Sequence, residues 1–322
     1  MNANLQEMIA FGPVPSRRLG RSLGINNIPP KSCSYSCIYC QVGATASREI
    51  EPRVFYEPEV IVQAVMRQVK AAQSTGETID YLTFVPDGEP TLDINLGKTI
   101  NLLRPLGIKI AVISNASLVW RDDVRRILNK ADWVSLKVDA VDEKIWCQIN
   151  QPHPQLQLLT IQQGIQRFAQ TYRGELTTET MLVAGVNDVP ESITAVSEFL
   201  ATFEPHTAYL AAPIRPPAQS NVRVPGEDTI VRAFEIYSGS LKNVQYLIGY
   251  EGDTFISTGD PVRDLLAITA VHPMRDEAVR QFLTKANCDW ALIQELLDQG
   301  EIKEVNFAGH RFYVRTIKGP MT

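Results

Sequence analysis

Three cysteines within eight residues, Cys33, Cys37 and Cys40, carry the most specific chemistry in the chain. Cysteine sulfur ligates iron in cubane clusters, and thiolates at C-x3-C-x2-C can wrap a [4Fe-4S] cluster. No fourth cysteine lies nearby, so such a cluster keeps one iron open for a substrate or cofactor. Structural zinc takes four protein ligands, so a zinc site would need a distant fourth donor. The remaining cysteines, Cys147 and Cys288, stand alone. An odd, clustered set points to metal or catalysis rather than to disulfides, which stay as the lesser alternative.

The elements around these cysteines alternate. Residues 58–73 carry a helical apolar stripe opened by Pro58, a residue suited to a first helical turn. Short apolar, β-branched runs at 79–85, 108–114, 132–140, 176–184 and 207–212 read as buried strands, with another near 22–28. Helical patterns lie between them at about 93–104, 121–130, 155–170 and 190–203. This spacing implies an α/β fold with a parallel sheet and right-handed crossovers, a partial (βα)6 barrel. Loops after the strands hold the cysteines, the run Asp87-Gly88-Glu89-Pro90, and Ser114-Asn115. Parallel α/β sheets bind ligands at the carboxyl ends of their strands, so these loops should share one mouth.

Length and charge bound the rest. The 322 residues suit one large domain with a small appendage, and 44% hydrophobic against 21% charged residues excludes a mostly disordered chain. A formal charge of −5 argues against a general nucleic-acid binder. No run of 18 apolar residues suggests a membrane span, and the opening MNANLQEMIA lacks secretory features, so a cytoplasmic location is expected. Boundaries are expected at 1–225 for the barrel with its cluster loop, 226–258 for the barrel end and connection, and 259–322 for a small C-terminal domain. In the last, helices at 276–283 and 289–299, with Asn287 as a cap and Gly300 as a stop, precede a hairpin turning at Ala308-Gly309. That order resembles a winged helix.

The cysteine spacing, with Tyr39 just before the third cysteine, resembles the radical S-adenosylmethionine (radical SAM) superfamily over most of residues 11–217. The resemblance implies one [4Fe-4S] cluster, with S-adenosylmethionine chelating its fourth iron and cleaved by one electron to methionine and a 5′-deoxyadenosyl radical that takes hydrogen from substrate. Asp87-Gly88-Glu89-Pro90 matches the family's GGEP-type motif, with Asp87 in place of the first glycine. By resemblance, Gly88, Glu89 and Pro90 belong to the loop that holds the methionine amino group through backbone carbonyls and the Glu. Ser114 and Asn115 would bond ribose hydroxyls or the carboxylate, and Val183, Gly185 and Asn187 belong to the segment that reads adenine. FGPVPSRRLGRSLG and GEPTL look closest to uncharacterised bacterial and archaeal Fe–S oxidoreductases related to the wybutosine-forming tRNA enzymes, whose second cysteine set is absent here.

Alternation along 134–139 sends Val134, Leu136 and Val138 to one face and Ser135, Lys137 and Asp139 to the other. Lys137 and Asp139 are thus candidates for substrate binding or proton transfer, or an ion pair filling the lumen, with Glu179 beside them if its face points inward. Arg17, Arg18 and Arg21 are either contacts for a carboxylate or phosphate or, the preferred reading, one or two braces for the cluster loop with the rest solvated; Arg215, near the mouth, is a substrate contact or part of a proline-stiffened connection. The histidines, His153, His206, His272 and His310, show no metal-ligand spacing.

The expected activity is therefore radical SAM chemistry of the Fe–S oxidoreductase type on an unidentified substrate, with a reductant such as flavodoxin or ferredoxin. The alternatives are a tRNA-base-modifying enzyme and a non-catalytic Fe–S or zinc sensor with a winged-helix interaction module. RNA contact is not favoured, because helix 289–299 carries Asp289, Glu295 and Asp298 and no Lys or Arg.

Overall fold

The computed structural model describes residues 9–248, 260–271 and 273–316, which leaves His272 outside the described residues. An eight-stranded sheet runs in sequential order: β1 (Ala10–Ser16), β2 (Gly20–Ile25), β3 (Tyr81–Phe84), β4 (Lys109–Ser114), β5 (Trp133–Lys137), β6 (Glu175–Met181), β7 (Thr207–Ala211) and β8 (Val244–Leu247). From β2 to β8 every pairing is parallel, while β1 folds back antiparallel on β2. The sheet curls into a half-barrel. Compared with six expected βα units it gains β1 at one edge and β8 at the other.

Outer helices are α1 (Pro58–Ser74), α2 (Leu96–Leu103), α3 (Asp122–Leu128), α4 (Glu143–Asn150), α5 (Leu158–Thr171), α6 (Pro190–Ala201) and α7 (Glu227–Ser240). Their apolar stripes pack on the outward residues of the strands. Ile61, Val65, Ile100, Ile161 and Ile165 join Leu82, Val112, Val134, Leu136 and Val138 in one continuous core. Because helices cover this face, the outward strand positions are apolar and the polar ones face the lumen. Register then sets the site: Lys137 on β5 lies directly opposite Glu179 on β6.

A second core lies beyond residue 260. The elements α8 (Pro261–Val271), β9 (Met274–Arg275), α9 (Asp276–Lys285), α10 (Ala291–Asp298), β10 (Ile302–Phe307) and β11 (His310–Arg315) surround Leu265, Val279, Phe282, Ile293 and Tyr313. Its sheet runs β10-β11-β9, and the hairpin turns at Ala308-Gly309, both with positive φ. Asn287 does not cap the following helix: it takes φ 53° just past α9, and Trp290 holds the N-cap position of α10. A short polar side chain tolerates this left-handed conformation and so ends α9 instead. Gly300, φ 67°, ends α10 as expected. Ala267 packs with Phe11, Val14 and Val85, so this region lies against β1 and the start of the 86–89 loop. Among the described residues, no helix is long and apolar enough to cross a membrane.

Candidate functional site

The cysteines sit in the long connection after β2, which is fixed by hydrogen bonds rather than by regular structure. At one end, Glu49 N donates to Cys33 O (2.9 Å), and Ser34 and Ser117 share a buried hydroxyl bond. At the other, Ser36 N and Ile38 N donate to the carbonyls of Asn150 and Ile149 at the end of α4 (3.0 Å each). Trp146, one turn earlier on that helix, donates from Nε1 to Tyr35 Oη (3.2 Å).

The loop after β3 docks on the same connection. Lys31 N donates to Asp87 O (2.8 Å) and Glu89 N to Ser32 O (2.9 Å). Between them, a Cβ on Gly88 would lie 1.9 Å from the Ser32 carbonyl oxygen, so only glycine permits this approach. Pro90 is buried and opens a short helical turn, its carbonyl accepting from Asn27 Nδ2 (3.0 Å).

These segments enclose a cavity of about 270 Å³ at the carboxyl ends of the strands. Cys33, Cys37, Cys40 and Tyr39 form one wall, Asp87, Gly88, Ser114 and Asn115 another, and Lys137, Glu179, Arg18 and Arg215 the depth and rim. All three thiols are free. Burial pushes Cys33 well above its usual value, Cys37 up to about 12, and Cys40 upward, so without a metal all three hold their protons at neutral pH. Two amide donors point at the sulfurs: Asn115 Nδ2 at Cys33 Sγ (3.5 Å) and Asn150 Nδ2 at Cys37 Sγ (3.4 Å). Such donors favour the thiolate over the thiol.

Glu89 is held by the loops on either side of it. Its Oε1 accepts from Thr91 N (3.1 Å), Thr91 Oγ1 (2.6 Å) and Ser114 Oγ (2.8 Å), and its Oε2 from Asn115 N (2.7 Å). It is fully buried and does not line the cavity. Ser114 and Asn115 do line it, although the Ser114 hydroxyl and the Asn115 amide hydrogen are spent on Glu89. Asp87 borders this space, but its carboxyl is buried: 4% exposed, it has no hydrogen-bond partner on either oxygen, and burial pushes it up to about 7 against the pull of Lys31 and Arg315.

In the lumen, Glu179 accepts from both Arg18 Nη1 and Lys137 Nζ. Burial alone would raise its carboxyl, but Lys137 and Arg18 override that and hold it at about 2. Burial would likewise lower Lys137, and Glu179 and Asp139 reverse that, so it stays an ammonium. Asp139 lies behind this wall, outside the cavity lining, where it accepts from Tyr39 Oη, Asn150 Nδ2 (2.7 Å) and Met181 N (2.8 Å). Arg215 Nη1 donates to Gln41 Oε1 (2.9 Å) beside the cysteines. Arg17 donates to the Ile248 carbonyl, and Arg21 pairs with Glu77. Of the three arginines, then, only Arg18 enters the site, and it braces β6 rather than the cluster loop.

The segment after β6 stands behind the cysteines. Val183 packs with Ile38, Tyr39, Ile149 and Val222, and its N–H donates to Asn187 Oδ1 (2.8 Å). Asn187 Nδ2 donates to the carbonyls of Asp139 and Met181 (2.8 Å each), while Gly185 turns with φ 73°. None of Val183, Gly185 and Asn187 lines the cavity. Asn150 and Lys31 are site residues that sequence reasoning missed: an asparagine ending a helix and a lone lysine carry no pattern.

These features define an α/β half-barrel whose mouth presents three thiols to one enclosed space. The sequence profile of the Radical SAM superfamily matches residues 27–195. A UPF0026 protein of Methanocaldococcus jannaschii is 47% identical over 312 residues, 96% of this chain and 97% of that one. A UPF0026 protein of Helicobacter pylori is 31% identical over 274 residues, 84% of this chain and 86% of that one. Among solved structures, TYW1 with a bound lysine-pyruvate adduct aligns with a TM-score of 0.52 at 18% identity, covering 69% of this chain and 74% of that chain, a likeness of fold. The chain belongs to the Radical SAM superfamily.

Membership implies S-adenosylmethionine and an iron–sulfur cluster, and the residues fit both. Three soft thiols share one wall with N–H donors aimed at two of the sulfurs, and Asp87, whose buried carboxyl is unpartnered, borders the same space. Among the described residues, no group of three His, Cys, Asp or Glu side chains stands close enough to hold a single metal ion.

Proposed function

We propose that this chain is a cytoplasmic radical SAM enzyme that holds one [4Fe-4S] cluster through Cys33, Cys37 and Cys40 and binds S-adenosylmethionine in the adjoining cavity. The observation carrying this reading is the convergence of three free thiols and the Asp87–Gly88 loop on a single cavity. Held by these three thiols, a cluster would supply the electron for reductive cleavage of S-adenosylmethionine and so the means of removing hydrogen from substrate. The protein's own work is positioning and exclusion. Gly88 lets the two loops close, Asn115 and Asn150 orient sulfurs, and Ile113, Met181, Ala211 and Leu247 give the cavity an apolar lining that keeps water out. Lys137, held protonated, serves as a hydrogen-bond donor and fixed cation toward substrate, and is unsuited to act as a base or amine nucleophile. Asp139 acts by positioning Tyr39 and Asn150. The electron donor is a small reductant such as flavodoxin or ferredoxin.

Within 259–322, the described residues 260–271 and 273–316 follow the order of a winged-helix-like module, helix–strand–helix–helix–hairpin. The exposed polar positions of α10, Gln294, Glu295 and Asp298, include no cation for phosphate. With Ala267 in one apolar cluster with Phe11 and Val85, just before the 86–89 loop, we assign the module to covering the site or contacting a protein, rather than to reading nucleic acid.

The test is anaerobic reconstitution with iron and sulfide, reduction, and addition of S-adenosylmethionine, beside a Cys33→Ala/Cys37→Ala/Cys40→Ala variant. About four irons per chain with 5′-deoxyadenosine from the wild type alone supports the reading. Zinc in place of iron, or a cluster without cleavage under strong reductant, overturns it in favour of a sensor.

A further inference from the structure

The lumen holds more positive than negative charge. Among the described residues lining the cavity, Arg18, Lys31, Lys137 and Arg215 are cations, and Glu179 and Asp87 are the carboxylates. Glu179 is shared, one oxygen accepting from Arg18 Nη1 and the other from Lys137 Nζ, so this trio keeps a net positive charge. Its donors are not used up. Lys137 gives Glu179 one of its three N–H groups and keeps 22% of its side chain exposed, and Arg18 gives it one nitrogen of its fork. A buried charge in surplus is costly unless a counter-ion arrives. The proposed occupants do not supply one in full. An oxidised cubane core on three thiolates is a monoanion, and S-adenosylmethionine chelating through its amine and carboxylate is neutral, its sulfonium set against the carboxylate. Even with Asp87 ionised, the lining then retains a positive charge. Beneath the trio the lumen is closed, because Leu19, Trp133 and Tyr209 pack with Met181, Ala211 and Leu247 of the cavity lining. A closed floor admits a small molecule and no through-going chain.

Resting on the function proposed above, we propose that the substrate is a small organic acid whose carboxylate or phosphate group is received by Lys137 and Arg18, and whose apolar body lies along Met181, Ala211 and Leu247. An ammonium and a guanidinium fork both donate to such oxyanions, and charge-assisted bonds of this kind are the strong ones. Glu179 holds the two cations in place for it. Removing either cation leaves a neutral pair with Glu179, so each of the two is required for the positive charge that the acid meets.

Equilibrium dialysis of cluster-loaded, non-reduced protein at fixed ionic strength in chloride reads this without turnover. The probes are labelled inorganic phosphate and labelled butyrate at millimolar concentration, with butyramide as the uncharged competitor, each with and without saturating S-adenosylmethionine. The proteins are wild type, Lys137→Met, Arg18→Gln and Lys98→Gln, all with matched iron content; Lys98 belongs to an exposed pair with Glu59 on the outer surface. The expected result is a single butyrate or phosphate per chain, not displaced by butyramide and retained when S-adenosylmethionine is bound. Whichever probe binds names the acid group. Lys137→Met and Arg18→Gln should each weaken it about 10- to 100-fold, as for loss of a charge-assisted hydrogen bond, and Lys98→Gln should not. Absence of binding by both probes overturns the inference, as does equal competition by butyramide. Unchanged binding in either lumen variant, or an equal loss in Lys98→Gln, overturns it too. Displacement of the anion by S-adenosylmethionine also overturns it, because the lumen cations would then hold the cofactor's own carboxylate. Wild type that loads a cluster yet binds no S-adenosylmethionine defeats the proposed function itself; bound S-adenosylmethionine with no bound anion defeats only the substrate class.

Discussion

Glu179→Gln is expected to cost the folded protein far more than Lys137→Met, although the two substitutions break the same contact. Glu179 sits in the lumen with an 8% exposed side chain and neutralises two cations, Arg18 and Lys137. Removing its charge leaves both cations buried, facing each other across a neutral amide. Removing one partner of a buried pair costs about 3–5 kcal/mol. Lys137→Met instead leaves the Arg18–Glu179 pair intact and replaces an ammonium by an apolar chain of similar length, with an expected cost of about 1–2 kcal/mol. The assay is urea unfolding of the metal-free protein, followed by the fluorescence of the buried Trp133 and Trp146, with a common m-value. The pH dependence supplies an independent check. Glu179 is held at about 2 in the fold, below its ordinary 4.5. Its stabilisation is therefore fully present above pH 4.5 and is lost as the pH falls toward 2. The gap between wild type and Glu179→Gln should narrow over that window and stay flat above it. A Glu179→Gln cost below about 1 kcal/mol, or a Lys137→Met cost equal to it, would refute the assignment of Glu179 as the shared counter-ion.

Three further outcomes are expected. Because burial keeps all three thiols protonated in the metal-free state, cluster assembly at pH 7.5 should release about three protons per chain, measured in weakly buffered dye solution. Loading should accordingly weaken as the pH is lowered, and a release near zero would contradict buried, neutral thiols. Gly88→Ala places a methyl 1.9 Å from the Ser32 carbonyl, so the two loops must part; bound iron should drop severalfold while helical circular dichroism is kept, and unchanged iron content would contradict the close approach. Asp87 is raised from 3.8 to about 7, so the folded chain retains a proton that the unfolded chain releases between those values. Metal-free stability should thus fall as the pH rises from about 4 to 7 through this group, by on the order of 2–4 kcal/mol. Asp87→Asn should remove that slope in pH-dependent denaturation, and an identical slope would contradict an unpartnered carboxylate.

The parts legible in the sequence are those whose chemistry is local. Cysteine spacing, the Gly88 turn, and the long apolar stripes of α1 and α5 are local patterns, and the alternation Val134–Asp139 sorted core from lumen along β5. What escaped depended on neighbours distant in sequence. The β1 segment AFGPVPS contains two prolines, which disguise a strand because proline cannot donate to a ladder; an edge position tolerates them. Strand β8 is four residues long and two of them are exposed, so it lacks the apolar run of a buried strand. Helix α4 is eight residues long, yet its last residue, Asn150, bonds both Cys37 and Asp139. The burial of Glu89 among donors from the 91 and 114–115 positions is also something no spacing within the motif reveals. Likewise Val183 and Asn187 follow the family's order but are turned toward the back of the cluster loop by the Asn187 bonds to the Asp139 and Met181 carbonyls.

The central claim is that three cysteines leave one iron of a cluster open to S-adenosylmethionine. Electron paramagnetic resonance of the reconstituted, dithionite-reduced protein, before and after S-adenosylmethionine is added, reads that open site directly. The expected result is a reduced-cluster signal whose shape changes on addition, and which is absent from the Cys33→Ala/Cys37→Ala/Cys40→Ala variant. A signal unmoved by saturating S-adenosylmethionine, or one that survives in the triple variant, would contradict it.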